Sequence, residues 1–174
     1  MDLDKVIASI RDIPDFPKQG ILFKDITTAM KNAEVLKYIS DELYEYYKHK
    51  GITKVVGVES RGFVLGSILA YKLRAGFVLL RKSGKLPSET FNIEYALEYG
   101  TDSLEIHKDA IDKNDIILLH DDLLATGGSA NAALKLLDNF EHDGIYVSFL
   151  IELIDLHGRE QLQNALDIHS LIKF

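Results

Sequence analysis

The stretch that most constrains this chain is Ile116-Ile117-Leu118-Leu119-His120-Asp121-Asp122-Leu123-Leu124-Ala125-Thr126-Gly127-Gly128-Ser129. The continuous apolar run Ile116–Leu119 reads as a strand buried on both faces, as central parallel strands are. Ala130, Ala133, Leu134, Leu137 and Phe140 follow at helical spacing. A buried strand, a glycine turn and a helix in succession make part of an α/β repeat. That repeat puts the turn where open α/β sheets bind ligands, beyond the carboxyl ends of the strands.

The residues in the turn narrow the kind of ligand. Unpaired N–H groups at a helix start lie at the positive end of the helix dipole. Glycines let the backbone approach a ligand closely, and Thr126 and Ser129 add hydroxyls, so Ala125–Ser129 forms a cradle for a phosphate. Asp121 and Asp122 just upstream would repel that anion unless they have another task. Accepting hydrogen bonds from sugar hydroxyls is one, and holding magnesium through water is another. No Lys follows the glycines, so the turn is not a Walker A loop. Gly57–Gly62 has similar glycine spacing but continues with Phe63 and Val64, and no G-x-G-x-x-G occurs.

The rest of the chain keeps the same alternation. Leu3, Val6, Ile7 and Ile10 predict a helix over Asp2–Arg11, stopped by Pro14 and Pro17. Ile13–Thr28 has no clean period and reads as extended or looped. A second helix is expected over Ala33–Lys50, ended by Gly51. Then come a strand at Lys54–Val58, a turn, a helix at Gly62–Arg74 and a strand at Gly76–Leu80. Arg81–Pro87 is basic and turn-rich, as a mobile loop would be. Phe91–Tyr99 alternates apolar with mostly polar residues, which predicts a half-buried strand, with a partner near Ser103–His107. Ile145–Glu152 and Asp167–Ile172 complete the strands. The expected class is α/β: a single-domain parallel sheet flanked by helices, with a β-hairpin hood. The domain spans 1–174, with 82–107 as flexible loop plus hood hairpin.

Composition removes several alternatives. A chain of 174 residues buries roughly 70% of its unfolded surface and needs no staple. It has no cysteine, which excludes disulfide scaffolds, zinc–thiolate sites and thiol nucleophiles. The six histidines show no metal-ligand spacing, so no zinc is expected. A net charge of −7 disfavours sequence-independent nucleic-acid binding. Apolar runs such as Ile145–Ile151 and Val64–Tyr71 fall far short of the ~20 residues of a membrane span. Met1–Arg11 lacks the pattern of a signal peptide, so the expected compartment is the cytoplasm.

Several segments are distinctive in combination: Ile10–Pro17, Gly20–Thr27, Glu59-Ser60-Arg61-Gly62-Phe63, Arg81-Lys82 with Gly84–Pro87, Leu97–Thr101, Leu104–Ala110 and Asp121–Ser129. Together they resemble the type I phosphoribosyltransferases, and nearly end to end their adenine-specific branch. The resemblance implies transfer from phosphoribosyl pyrophosphate (PRPP) to adenine, giving AMP and pyrophosphate. It also implies Mg2+ held through PRPP and water, with no direct protein ligand, and a homodimer to which Arg61–Arg81 contributes. By the same resemblance Ala125, Thr126, Gly127, Gly128 and Ser129 hold the 5′-phosphate, while Asp121 and Asp122 face the ribose. Ser60, Arg61, Arg81 and Lys85 meet the pyrophosphate, and Leu22, Phe23 and Lys24 line the adenine pocket. Glu98, with Tyr99 beside it, is the acid/base residue on the purine.

The residue chemistry is consistent with those roles. Displacement at the anomeric carbon expels a polyanion, which Arg61, Arg81 and Lys85 can stabilise. Glu98 lies on the polar side of its expected strand, where a carboxyl can exchange a proton with a purine nitrogen. The branch usually carries an apolar residue where this chain has His120. Two roles are open for it: a satisfied neighbour of Asp121, or a contact to ribose. Protonated, it would make activity pH-sensitive near neutrality. Ser129 replaces the commoner Thr and keeps the hydroxyl. Lys24 stands where Arg is also found and lacks its forked contacts. Two other readings carry different expectations: a transferase for another base, and a noncatalytic PRPP-binding regulator, which should show a basic face.

Overall fold

Asp2 starts the first helix. Its carboxylate accepts the Lys5 N–H at 3.0 Å, an N-cap that supplies one unpaired donor with a partner. The computed structural model describes residues 2–96 and 100–174. They fall into two compact units, the first ending at Glu45 and the second covering Tyr46–Phe174.

In the first unit α1, Leu3–Ser9, ends at Ile10, which is already extended. The expected helix to Arg11 is therefore too long, because Arg11 belongs to a strand. β1, Arg11–Pro14, pairs antiparallel with β2, Leu22–Asp25. Arg11 faces Asp25 in the register and donates to its carboxylate through Nε at 3.1 Å and Nη2 at 2.5 Å. That pair, joined by the Thr27 N–H, holds the Asp25 carboxyl down at about 2. The segment read as extended or looped is thus a hairpin, followed by α2, Thr27–Met30. Asn32 Oδ1 then accepts the Glu34 and Val35 N–H groups at 3.0 and 3.3 Å. This starts α3, Ala33–Tyr47, which ends three residues before the expected Lys50.

The second unit is one mixed sheet with helices against it. Its elements are β3 (Lys54–Val58), α4 (Gly62–Leu73), β4 (Gly76–Lys82), β5 (Thr90–Ala96), β6 (Thr101–His107), β7 (Ile116–Leu124), α5 (Gly128–Leu137), β8 (Gly144–Glu152) and β9 (Asp167–Lys173). The strand order is β5-β6-β4-β3-β7-β8-β9. β4, β3, β7, β8 and β9 run parallel, and the β5–β6 hairpin joins antiparallel through Arg81↔Glu105 and Lys82↔Leu104. α4 lies on β3, β4 and β7, and α5 on β5, β6 and β7. The core is Val56, Ile117, Leu119, Val147 and Phe149 from the sheet with Ala133, Leu136 and Leu137 from α5.

Two strands are longer than their apolar runs. β4 continues through Arg81 and Lys82, which the sequence reading places in a loop, because both pair with β6. β7 continues through the acidic pair to Leu124, because Asp121, Leu123 and Leu124 pair with β8. Leu97, Glu98 and Tyr99 lie outside the described residues.

Candidate active site

One cleft of about 630 Å³ opens at the carboxyl ends of β3, β4 and β7. Its floor at one end is the turn from β7 into α5. Gly127, at φ +86°, precedes the first helical residue and has no side-chain cap. A left-handed residue there favours glycine, and the leading helix amides are left for a ligand. The turn is backed from behind. A Cβ on Gly127 would strike the Gly158 carbonyl oxygen, and a Cβ on Gly158 would lie 2.9 Å from the Gly127 nitrogen. Ser129 Oγ donates to Tyr95 Oη at 3.3 Å, which ties the cradle to the hairpin.

The acidic pair sits within β7, two residues before its end. The Asp122 N–H donates to Asp121 Oδ1 at 2.8 Å, and Arg61 Nε meets Asp122 Oδ2 at 2.7 Å. Gly62 permits that approach, since a Cβ there would come within 2.8 Å of the His120 carbonyl. Burial and then the Asp122 charge push the Asp121 carboxyl well above the usual carboxylate range. Burial also raises Asp122, against the pull of Arg61. Two carboxylates this close resist double ionisation, and a cation or hydroxyl donors would relieve them.

Among the described residues no group of three His, Cys, Asp or Glu converges. Two adjacent carboxylates fit a magnesium ion that keeps its water shell and takes substrate oxygens, with the carboxylates accepting from its waters.

At the other end, Arg81 Nε and the Lys82 N–H donate to Glu59 at 3.3 and 3.0 Å, and Lys85 Nζ also meets Glu59. Lys82 Nζ pairs with Asp102 at 2.9 Å. Glu105 accepts the Lys85 and Leu86 N–H groups, both at 2.8 Å.

His120 is fully buried, with Nδ1 3.1 Å from Ser148 Oγ. Its partner is thus Ser148, on the neighbouring strand β8, and its ring does not line the cleft. Burial pushes its pKa down to about 4. An imidazole held so low stays neutral near pH 7, so the protonation on which pH sensitivity there depends does not occur.

Of the sequence-predicted site residues, Ser60, Arg61, Lys85, Asp121, Asp122 and the Ala125–Ser129 turn line this one cleft. Arg81 is not among the lining residues; it is bound to Glu59, which lines the cleft, and, through Nη1, to the Lys85 carbonyl at 3.2 Å. Leu22, Phe23 and Lys24 lie on β2 in the first unit. There Phe23 packs edge-on against Phe16 at 5.2 Å, and Lys24 pairs with Asp12 at 2.8 Å. Glu98 and Tyr99 lie outside the described residues. Sequence reasoning assigned no part to Glu59, Tyr95, Asp102, Glu105 or Gly158. Glu59 and Glu105 lie in segments already singled out, Glu59-Ser60-Arg61-Gly62-Phe63 and Leu104–Ala110, so these two carried a signal.

Comparison with known proteins points the same way. The phosphoribosyl transferase domain model matches residues 24–160. An adenine phosphoribosyltransferase of Bacteroides fragilis is 54% identical over 168 residues, 97% of this chain and 94% of the relative. The Giardia lamblia adenine phosphoribosyltransferase, solved with 9-deazaadenine, superposes with TM-score 0.95 at 40% identity, covering 100% and 98% of the two chains. The Saccharomyces cerevisiae enzyme, solved with an imino-altritol bisphosphate and adenine, gives 0.89 at 38% identity over 97% of each.

Proposed function

We propose that this chain, which belongs to the adenine phosphoribosyltransferase family, transfers the 5-phosphoribosyl group of PRPP to adenine and releases AMP and pyrophosphate. The observation that carries this reading is the single cleft. It joins a backbone cradle for one phosphate, a carboxylate pair for a sugar and a cation-rich end for a leaving polyanion. Few substrates other than PRPP need all three.

In this reading the N–H groups and hydroxyls of Ala125–Ser129 hold the 5′-phosphate. Asp121 and Asp122 accept from the ribose hydroxyls and hold magnesium through water and PRPP. Bound magnesium would neutralise part of the charge on the departing pyrophosphate. Ser60, Arg61, Arg81 and Lys85 take the rest of that charge. Leu22, Phe23 and Lys24 recognise adenine. The N9–C1′ bond forms as the C1′–oxygen bond to pyrophosphate breaks, and the carboxylate of Glu98, beside Tyr99, takes the proton that adenine gives up.

Residues 1–174 serve this one function in the cytoplasm as a homodimer, with 82–107 as the loop and hood over the substrate. The dimer is supported by α4, which is mostly apolar yet leaves Val64 41% and Tyr71 85% exposed. A purely monomeric species in sedimentation velocity would overturn that assignment.

The test is AMP formation from adenine with PRPP and magnesium, with hypoxanthine, guanine and xanthine run in parallel. Adenine alone should react. Glu98→Gln should lower the rate by ~10²–10⁴-fold. Consumption of another base would refute the adenine assignment, and PRPP binding without any transfer would favour a regulatory protein.

A further inference from the structure

Glu59, just past the end of β3, has no part in the roles above. Its side chain is only 9% exposed, yet it gathers donors from three residues. Arg81 Nε lies at 3.3 Å, Arg81 Nη2 at 3.5 Å and the Lys82 N–H at 3.0 Å, and Lys85 Nζ completes the set. Arg81 Nη1 also donates to the Lys85 carbonyl at 3.2 Å. Two cations therefore share one carboxylate. Lys82 pairs separately, with Asp102. At Glu59 this leaves a local surplus of one positive charge.

A second buried carboxylate holds the loop backbone separately. Glu105 is 4% exposed, faces Arg81 in the β4–β6 register and accepts the Lys85 and Leu86 N–H groups. The loop path thus rests on Glu105, while the positions of the two cationic heads rest on Glu59. Without a shared counter-ion, Arg81 and Lys85 would repel each other and recover the rotamer freedom of long side chains. Burial by itself raises the Glu59 carboxyl, but the hydrogen bonds from Lys85, Lys82 and Arg81 outweigh it and hold it at about 2. The group is therefore an anion throughout the neutral range.

We propose that Glu59 is a positioning residue for the phosphoribosyl donor, which gathers Arg81 and Lys85 into a preformed cation pair that receives its pyrophosphate. This rests on the function proposed above. The opposite role, a counter-ion that competes with the incoming anion, has the opposite sign. A competitor's removal tightens PRPP binding, whereas removal of a positioning group weakens it.

The experiment is calorimetric titration of PRPP with magnesium into the unmodified chain, Glu59→Gln, Glu59→Asp, Lys85→Ala and the Glu59→Gln/Lys85→Ala double variant. AMP formation and thermal melts are measured beside it. Glu59→Gln should weaken PRPP about tenfold, as loss of a charged hydrogen-bonding group does. Its KM for adenine should stay within about twofold of the unmodified value. Glu59→Asp, which keeps the charge, should recover part of the affinity. In the double variant Lys85→Ala should cost much less than it does alone, because Lys85 is already misplaced. Unchanged or tighter PRPP binding in Glu59→Gln would overturn the proposal, and so would full additivity with Lys85→Ala. If Glu59→Gln fails to fold by its melt, the same cycle is run with Glu59→Asp and read by the same criterion. An unmodified chain that binds PRPP yet makes no AMP would refute the transferase reading and leave the binding cycle to decide on Glu59. An active chain whose PRPP affinity ignores Glu59→Gln would refute only the role of Glu59. A chain that binds no PRPP would refute both.

Discussion

At the Ala125–Ser129 end of the cleft the wall is backbone, whereas at the Glu59–Lys85 end it is long charged side chains. The first end takes its shape from a left-handed glycine and from Gly158 pressed against it. No rotamer has to be frozen there, and the helix supplies partial charges that are fixed in direction. The second end takes its shape from carboxylates that each hold donors from elsewhere in the chain. Its charges are whole, its side chains are mobile in principle, and its order depends on the counter-ions. A site that must grip one phosphate throughout and let another group leave gains from having both.

The comparison is broken most directly at the backbone end. Gly127→Ala should lower AMP formation by ~10²-fold, since a Cβ at φ +86° would force the cradle off Gly158. Steady-state rates at saturating PRPP test this, and near-normal rates would mean that the close packing there is dispensable. Asp121→Asn, between the two ends, should cost about tenfold in rate, the order expected for a hydrogen bond to a charged group. The same change should stabilise the protein at alkaline pH. The native carboxyl binds its proton more tightly than the unfolded one, so stability falls as pH rises from the ordinary carboxylate value through the raised one. Melting temperatures of the two forms should differ most near pH 8 and converge near pH 4.

Salt should separate the two ends more gently. Pyrophosphate affinity should fall about threefold or more when ionic strength rises from ~0.1 M to ~1 M, while AMP affinity should change less, because whole charges on exposed heads are screened most. Equal salt slopes would erase the distinction. The smallest effect belongs to His120→Asn. With the ring buried, neutral and off the cleft, rates should stay within about threefold, an effect below 1 kcal/mol. The pH profile between 6 and 8 should not move, and a lost inflection there would show that the ring titrates in the working range.

The same contrast explains what could be read beforehand. Strand β3 was legible to the residue, and β8 and β9 nearly so, because apolar runs bounded by turns are local signals. The cradle was legible because its hydroxyls, glycines and helix are contiguous. The β1–β2 hairpin was not, since its register depends on Arg11 finding Asp25 fourteen positions later. The far ends of β4 and β7 were not, since charged residues in a strand read as loop until their partners on β6 and β8 are known. Asp102 and Gly158 act only through neighbours distant in sequence, and no spacing within their own segments marks them.

The length of β7 has a consequence for how the site opens. Its ladder to β8 continues through Asp121, Leu123 and Leu124, so the acidic pair belongs to the sheet rather than to a loop above it. In amide hydrogen exchange, the ladder amides around that pair should open only with the cooperative unit that holds the core. The chain from Ser83 to Glu89, outside any strand, should exchange through small local openings. Substrate entry therefore proceeds against a fixed acidic floor, and any adjustment to it comes from the side of the cleft where the cations stand.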